Sequence, residues 1–302
     1  MKKNPIKIYL YLTLCVLFWS GNFIIGRFIK DDMSPIELAF FRWFFVLIFI
    51  SPIFIIRWNN IINSLKKHFW IMLVLSALGV SAFNTILYLG LSKTTATNSL
   101  VINSIIPILV LIMSFVILHQ KINYKQVIGI FISTIGMLYL ILQGDFYRIY
   151  LLKFNQGDFW IIGAAFIWAL YSVVLKFKPT DLSDFEFFSL MVFIGFLLLL
   201  PFYLYQGFSL SYGANLVYNN FWVFFYISVF TSIISYYFWH KGIHTIGATK
   251  TSQFAHLMPI FGSFLAYIFL DEVLHFYHIV GMTLIGGGIY LSLSHKHIIL
   301  RK

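Results

Sequence analysis

The residues of this sequence that could do chemistry are polar side chains placed inside long apolar runs. Arg42 lies well inside one such run, where its forked guanidinium could bind a carboxylate or a phosphate. It could equally extend its charge to a membrane interface or pair with a backbone carbonyl. His240 and His256 lie in two further runs. Because histidine titrates near neutral pH, each is a candidate proton carrier as well as a neutral hydrogen-bond partner.

Further candidates are polar and aromatic residues at helical spacing. Trp19 and Asn22 are three residues apart and Asn84 and Tyr88 are four apart, so each pair shares one helix face. In an apolar environment such groups line a wet cavity or hydrogen-bond between helices, and the spacing leaves both readings open. The full set of candidate substrate-binding residues is Trp19, Asn22, Arg42, Asn84, Tyr88, Asn103, Trp168, Tyr171, Tyr236, His240 and His256.

Prolines and two acidic residues are candidates for roles in helix geometry. Pro107 and Pro259 each remove a backbone donor inside an apolar run, so they are expected to kink their helices and are candidate gating residues. Glu37 and Glu186 stand where apolar runs begin. A carboxylate there offsets the positive end of a helix, and we interpret both as caps.

Composition identifies the solvent of this chain as a lipid bilayer. Of its 302 residues, 60% are hydrophobic and only 10% are charged, with a mean hydropathy of +0.88. Soluble domains carry about 45–50% apolar and about 25% charged residues. The formal charge of +11 does not indicate nucleic-acid binding, because the basic residues are scattered over short connections. The single cysteine, Cys15, excludes an intrachain disulfide.

The candidate residues must therefore be positioned by membrane-spanning helices, each of which needs about 20 mostly apolar residues. The sequence predicts an all-α membrane protein of ten transmembrane helices joined by short connections. The predicted spans are Ile8–Phe28, Ile36–Ile56, Phe69–Gly90, Asn98–Leu118, Tyr124–Leu142, Asp158–Phe177, Phe185–Tyr205, Asn220–Lys241, Lys250–Leu270 and Phe276–Leu293.

Charge placement predicts the orientation of these spans. With an even number of crossings, most Lys and Arg residues fall on the side of the N-terminus, in the connections and in the two terminal segments. The N-terminal segment itself contributes Lys2 and Lys3. Cytoplasmic connections carry this excess of basic residues. We therefore expect a multi-pass protein of a bacterial inner membrane with both termini in the cytoplasm.

The two halves of the chain resemble one another. A shift of 149 residues, and later of 152 residues, superposes an ordered series of identical residues. The copies would occupy residues 1–145 and 156–302, with five spans each. Because five is an odd number, the second copy must lie inverted in the membrane, as in many transporters. The superposed pairs include Trp19 with Trp168, Glu37 with Glu186, Gly90 with Gly242, Pro107 with Pro259, Gly129 with Gly281, and Gly136 with Gly288.

Short motifs add a family resemblance that covers essentially the whole chain. The sequence resembles the drug/metabolite transporter superfamily of the EamA type. One departure is His119-Gln120, where the family has a small residue followed by Glu. The motifs that carry the resemblance are Phe18–Phe23 (FWSGNF), Phe41-Arg42, Tyr88–Leu91 (YLGL), Pro107, Gly247-Ala248, Pro259, Asp271-Glu272 and Gly281.

The resemblance implies a secondary carrier that moves a small organic metabolite by alternating access, often as an exporter. The aromatic candidate residues favour an amino acid or a similar amphipathic solute, and the alternative is an uptake carrier for a nucleoside-like or other metabolite. A membrane enzyme or a channel is disfavoured, since the sequence has no catalytic motif, no metal-binding motif and no filter sequence. We expect no cofactor; protons are candidate coupling ions.

The glycines of the fifth and tenth predicted spans concern assembly. Gly129 and Gly136, like Gly281 and Gly288, lie at spacings that mark one helix face. Small residues let helices approach closely. These faces are expected either to pack the two halves together or to form a dimer, so the sequence leaves a monomer and a homodimer open.

Overall fold

The computed structural model describes residues 5–28, 33–207, 210–269, 273 and 275–294, and all regular structure within these ranges is helical. The motif Asp271-Glu272 lies outside the described residues. The helices are α1 (Pro5–Phe28), α2 (Pro35–Ile56), α3 (Trp58–Ser76), α4 (Phe83–Leu91), α5 (Ala96–Asn103), α6 (Ile106–Leu118), α7 (Tyr124–Ile141), α8 (Gln156–Val174), α9 (Asp184–Tyr205), α10 (Leu210–Asn219), α11 (Phe221–Ser228), α12 (Ser235–Ile246), α13 (Ala248–Ser252), α14 (Met258–Phe269) and α15 (Phe276–Leu293).

Several of these helices join into runs that could cross a membrane. Among the described residues, eight runs are long and apolar enough, and a shorter apolar helix covers Ile6–Asn22. The run that corresponds to the third predicted span is longer than predicted and begins at Trp58 instead of Phe69. The eight are Pro35–Ile56, Trp58–Leu91, Thr97–Leu118, Tyr124–Ile141, Gln156–Phe177, Asp184–Tyr205, Phe221–Ile246 and Phe276–Leu293.

The two candidate gating prolines follow breaks in their helices. Pro107 lies in the first turn of α6, directly after the chain turns between α5 and α6. Pro259 lies in the first turn of α14, after a 3₁₀ segment at Gln253–Leu257. Proline suits a first turn because its missing N–H has no partner there in any case. The predicted ninth span, Lys250–Leu270, is therefore helical from Ala248 to Phe269 but is not one continuous α-helix.

Two π-helical segments interrupt the third and eighth spans. They cover Ala77–Ala82 and Val229–Ile234, which are separated by the same 152 residues as the later part of the sequence repeat. A π turn carries an extra residue and breaks the regular backbone ladder, which frequently occurs at functional sites. Both segments lie next to the candidate residues of their spans, before Asn84 and before Tyr236 respectively.

The interpretation of the two glutamates as caps is confirmed. Ser34 and Glu37 form a reciprocal capping box at α2, and Ser183 and Glu186 form another at α9. In each, the serine hydroxyl accepts from the glutamate N–H and the carboxylate accepts from the serine N–H. Glu186 also accepts from Asn60 Nδ2 at 3.1 Å, which ties α9 to the start of α3.

A change at the second cap tests its contribution. Ser183→Ala removes one acceptor of the box and is expected to lower the stability by about 1 kcal/mol. The measurement is the thermal unfolding temperature of the purified protein in detergent. Thr283→Ala is the matched control, because the Thr283 hydroxyl is exposed and bonds only the Ile279 carbonyl of its own helix. An equal decrease in both variants would contradict the role of the cap.

The glycine faces of α7 and α15 pack against each other, which confirms that these helices join the two halves. A methyl group at Gly129 would lie 2.5 Å from the carbonyl oxygen of Gly288, and one at Gly281 would lie 3.1 Å from that of Gly136. Such an approach is possible only without side chains at the contact. The two helices bury their small residues on one another.

Candidate functional site

A cavity lies between helices from the first and second halves of the chain. Seven of the candidate substrate-binding residues line it, and the other lining residues are apolar. The volume open to the centres of water molecules is only about 40 Å³, so the cavity must widen to admit an organic solute. The lining consists of Trp19, Asn22, Arg42, Phe83, Asn84, Leu87, Asn103, Ile106, Trp168, Tyr236, Ala255 and Met258.

Indole rings from both halves form one wall of this central cavity. Trp19 of α1 packs edge-on against Trp168 of α8, with ring centroids 5.2 Å apart. The Trp19 Nε1–H donates to the Thr231 carbonyl at 3.0 Å, an oxygen of the second π segment. Trp168 also contacts Phe83 with centroids 4.5 Å apart. The wall is therefore apolar, aromatic and fixed in orientation by a hydrogen bond.

The charged residue of the lining is Arg42, which is only 2% exposed. Its Nε donates to Ser232 Oγ at 2.8 Å, and its Nη1 donates to Tyr88 Oη at 2.9 Å and to Asn22 Oδ1 at 3.4 Å. Its Nη2 donates to the Thr231 carbonyl at 3.3 Å. Arg42 thus points into the protein and does not extend to the membrane interface, but it does pair with a backbone carbonyl, as the alternative reading of its position also allowed.

A second cross-half contact joins Asn84 and Tyr236. The Asn84 amide donates to Tyr236 Oη at 3.3 Å, and Tyr236 Oη donates to the Gly79 carbonyl of the first π segment at 2.6 Å. Opening the backbone ladder at Gly79 frees the carbonyl that Tyr236 uses. The π segments therefore supply acceptors to the aromatic residues of the opposite half.

Tyr171 and His240 lie together but do not line the central cavity. Tyr171 Oη is 2.6 Å from His240 Nε2 and 3.5 Å from Met191 Sδ. The ring of His240 also contacts Tyr236. The three residues Tyr171, Met191 and His240 correspond by the repeat offsets of 149 and 152 to Asn22, Arg42 and Tyr88. Each of these two clusters is connected internally by hydrogen-bond contacts.

A larger cavity reaches His240 from the side on which α1 begins. Its volume open to water centres is about 960 Å³, and we call it the vestibule. Lys7, Lys178 and Lys241 are among its lining residues. Asp184 pairs with Lys178 at 2.6 Å and with Lys241 at 2.5 Å. Tyr171 and His240 therefore stand between a wide, charged vestibule and the narrow central cavity.

The structure does not bring every candidate residue to the cavity. His256 is fully buried between helices, where Nδ1 is 2.8 Å from Ser133 Oγ and Nε2 is 3.1 Å from the Ser104 carbonyl. Both ring nitrogens thus have protein partners, and His256 is not among the residues that line the central cavity. Its bonds connect α7 to the break before α6, which indicates a structural role.

Sequence reasoning overlooked three polar positions. Ser232 and Thr231 of the second π segment accept hydrogen bonds from Arg42. Their hydroxyl groups inside an apolar run were the only sequence signal for these two positions. Asp158 begins the sixth span and is completely buried, accepting from Thr94 at 2.5 Å and from Asn98 at 3.0 Å. These contacts hold α8 against α5 and the loop before it. Over the residues that the structure describes, no three His, Cys, Asp or Glu side chains group as they would around a metal.

Comparisons with known proteins agree with this architecture. The EamA-like transporter family matches residues 6–142 and again residues 155–294. An uncharacterized transporter of Bacillus subtilis, YyaM, is 27% identical over 94% of this chain and 92% of its own length. An uncharacterized transporter of Archaeoglobus fulgidus is 26% identical over 96% of this chain and 99% of its own length.

A second Bacillus subtilis relative, the uncharacterized transporter YetK, is 24% identical over 97% of this chain and 89% of its own length. A crystal structure of another protein shares the fold with a TM-score of 0.71 at 14% identity, covering 95% of this chain and 97% of that one. The two family matches together span nearly all of the chain. The protein belongs to the EamA-like transporter family and is a multi-pass membrane transporter, not an enzyme.

Proposed function

We propose that this transporter is a secondary carrier that exports a small organic metabolite, an amino acid or a similar amphipathic solute, by alternating access. It would span a bacterial inner membrane ten times as two inverted five-helix copies, residues 1–145 and 156–302, with both termini in the cytoplasm. The eleven candidate residues divide in this proposal between the solute-binding cavity, the gates on either side of it and the supporting structure.

The meeting of repeat-equivalent residues at one cavity carries this proposal. Trp19 contacts its equivalent Trp168, and Asn84 bonds its equivalent Tyr236. Contacts between equivalent residues are expected on an axis that relates two copies, and inverted repeats bind their solutes at this axis near the middle of the membrane. The equal offset of the two π segments supports the same relation.

The two equivalent clusters support an alternating mechanism. Asn22, Arg42 and Tyr88 would close the outer side of the cavity, while Tyr171 and His240 would close the side of the vestibule. Both clusters consist of hydrogen bonds between helices, so each can be broken and remade as the helices move. The small central cavity, about 40 Å³, is then an occluded form with both clusters made.

Transport by the purified protein in proteoliposomes tests the proposal. We expect saturable movement of labelled amino acids or related amphipathic solutes, and acceleration by an excess of unlabelled solute on the opposite side. Runs with and without a pH gradient determine whether protons are coupled. Movement of nucleosides with no movement of any amino acid or similar carboxylate would favour the alternative carrier. Passive, non-saturable leakage would contradict a carrier.

A further inference from the structure

We propose that the central cavity selects solutes of net negative charge, an aromatic or other apolar body bearing a carboxylate, which Arg42 binds directly. The inference rests on the proposed transport function and narrows its substrate class. It distinguishes an anionic carboxylate from a zwitterionic amino acid of the same shape. The assignment is carried by the charge balance of the cavity, by the remaining donor of Arg42 and by the charge of the vestibule.

No anionic side chain among the described residues balances the charge of Arg42, whose guanidinium carbon lies 5.4 Å from the centroid of the neutral Trp43 ring. Its four hydrogen bonds go to a serine hydroxyl, a tyrosine hydroxyl, an amide oxygen and a backbone carbonyl, all of them neutral. Within the described ranges no carboxylate pairs with it, and no acidic residue lines the cavity. A buried guanidinium is costly without an anion. A bound carboxylate supplies the missing charge.

The guanidinium also keeps a donor for a ligand. Arginine has five N–H groups. One hydrogen bond from Nε, two from Nη1 and one from Nη2 use four of them. The remaining N–H belongs to Nη2, and Arg42 itself lines the cavity. A carboxylate oxygen is its strongest available acceptor, since charge-assisted hydrogen bonds are about twice as strong as neutral ones.

An ammonium group would find poorer partners in the same cavity. The polar groups besides Arg42 are the amides of Asn22, Asn84 and Asn103, with the hydroxyl of Tyr236 and the indole of Trp19. Only the neutral oxygens among these groups can accept from an ammonium, and they must replace its whole hydration shell, while the nearby positive charge of Arg42 repels it. A zwitterion must desolvate its ammonium group on binding, whereas a simple carboxylate has no ammonium group to desolvate. The aromatic wall of Trp19, Trp168 and Phe83 suits the apolar body of either.

The vestibule carries charge of the sign that such a solute needs. Its lining includes Lys7, Lys176, Lys178 and Lys241 but a single acid, Asp184. A cleft lined by an excess of one charge raises the local concentration of the opposite ion. The vestibule opens on the side where α1 begins, which is the proposed cytoplasmic side. Anionic solutes would therefore be concentrated at the entrance used for export.

Three solutes that share one phenyl body test the inference on the unmodified protein in proteoliposomes. They are 3-phenylpropionate, phenylalanine and phenethylamine, which are anionic, zwitterionic and cationic near neutral pH. We expect 3-phenylpropionate to be transported at least about tenfold faster than phenylalanine, with no saturable transport of phenethylamine. Its movement should also respond to an imposed membrane potential unless a proton accompanies it, which the pH-gradient runs detect.

Variants then assign the selectivity to Arg42. Arg42→Gln should reduce the rate for 3-phenylpropionate at least about tenfold, with a smaller loss for phenylalanine, and Arg42→Lys should retain part of the preference for the anion. Arg148→Gln is the control, because that arginine is exposed and bonds Gln143 outside the cavity. Each variant is first shown to elute as a single species.

The outcomes separate the inference from the function on which it rests. Transport of phenylalanine that equals or exceeds that of 3-phenylpropionate, or saturable transport of phenethylamine, would overturn the inference and leave the proposed carrier standing. No transport of any of these solutes, or of the other amphipathic solutes, would overturn both. If Arg42→Gln does not fold, the comparison of the three solutes on the unmodified protein still decides the question.

Discussion

Tyr171→Ala will expose the central cavity to reagents from the vestibule. Tyr171 Oη and His240 Nε2 are 2.6 Å apart, and this contact lies between the vestibule and the cavity. A hydrogen bond contributes about 0.5 to 1.5 kcal/mol, so its loss together with the packing of the ring should increase the open population about tenfold. Concentrative transport should fall in parallel, because a cavity open on one side cannot alternate.

A single engineered thiol measures this opening. Ala255 lines the central cavity, so Ala255→Cys is the reporter in a background in which the one native cysteine is replaced, Cys15→Ser. Cys15 donates to the Ser235 carbonyl at 3.3 Å, a bond that a serine hydroxyl can also make. The rate of labelling by a charged thiol reagent is followed in vesicles of each orientation, and it should rise about tenfold from one side only.

Two further variants determine whether the effect is specific. His240→Ala removes the partner of Tyr171 and should raise the labelling rate in the same direction. Tyr237→Ala removes a ring of equal size from the vestibule wall. Because the Tyr237 ring stacks on Phe185 and takes no part in the contact between Tyr171 and His240, this variant should leave the labelling rate unchanged. Equal acceleration by Tyr171→Ala and Tyr237→Ala would show that the contact with His240 does not close the cavity.

Much of the central cavity was predictable because lipid makes polar groups expensive. Helical spacing inside apolar runs predicts two pairs of candidate residues, Trp19 with Asn22 and Asn84 with Tyr88. All of them except Tyr88 line the cavity. Tyr88 does not line the cavity but donates a hydrogen bond to Asn22 Oδ1, which does, at 3.2 Å. The helix caps were predictable for a different reason, since a capping box is formed by residues three positions apart.

His256 shows how far such reasoning extends. A polar residue in a membrane helix is satisfied by a cavity or by a partner, and the sequence does not reveal which. The ring nitrogens of His256 make hydrogen-bond contacts with Ser133 Oγ and the Ser104 carbonyl, both more than a hundred residues away along the chain. That carbonyl lies at the break before Pro107. The π segments were likewise not predicted, because no local pattern of residue types specified them.

Gly288→Leu should destabilise the protein more than any other single change proposed above. A Cβ at Gly288 would lie 2.5 Å from the Gly129 carbonyl oxygen and 2.6 Å from the Ser133 backbone nitrogen. Both are backbone atoms, so no side-chain rotation relieves the contact, and the two helices must separate. Overpacking costs about 1 to 3 kcal/mol of stability in ordinary cores. Separating the glycine faces of α7 and α15 should cost about 3 kcal/mol or more. The yield of monodisperse protein and its unfolding temperature measure this loss.

The neighbouring glycine provides a control within the same helix turn. A Cβ at Gly287 would meet nothing within 4 Å, so Gly287→Leu adds the same side chain to α15 on an open face. We expect it to fold and to transport normally, since none of the described residues that line the central cavity belongs to α15. Equal losses in both variants would mean that the helix rejects leucine anywhere. A loss confined to Gly288→Leu would identify the α7–α15 seam as the rigid contact that holds the two halves together.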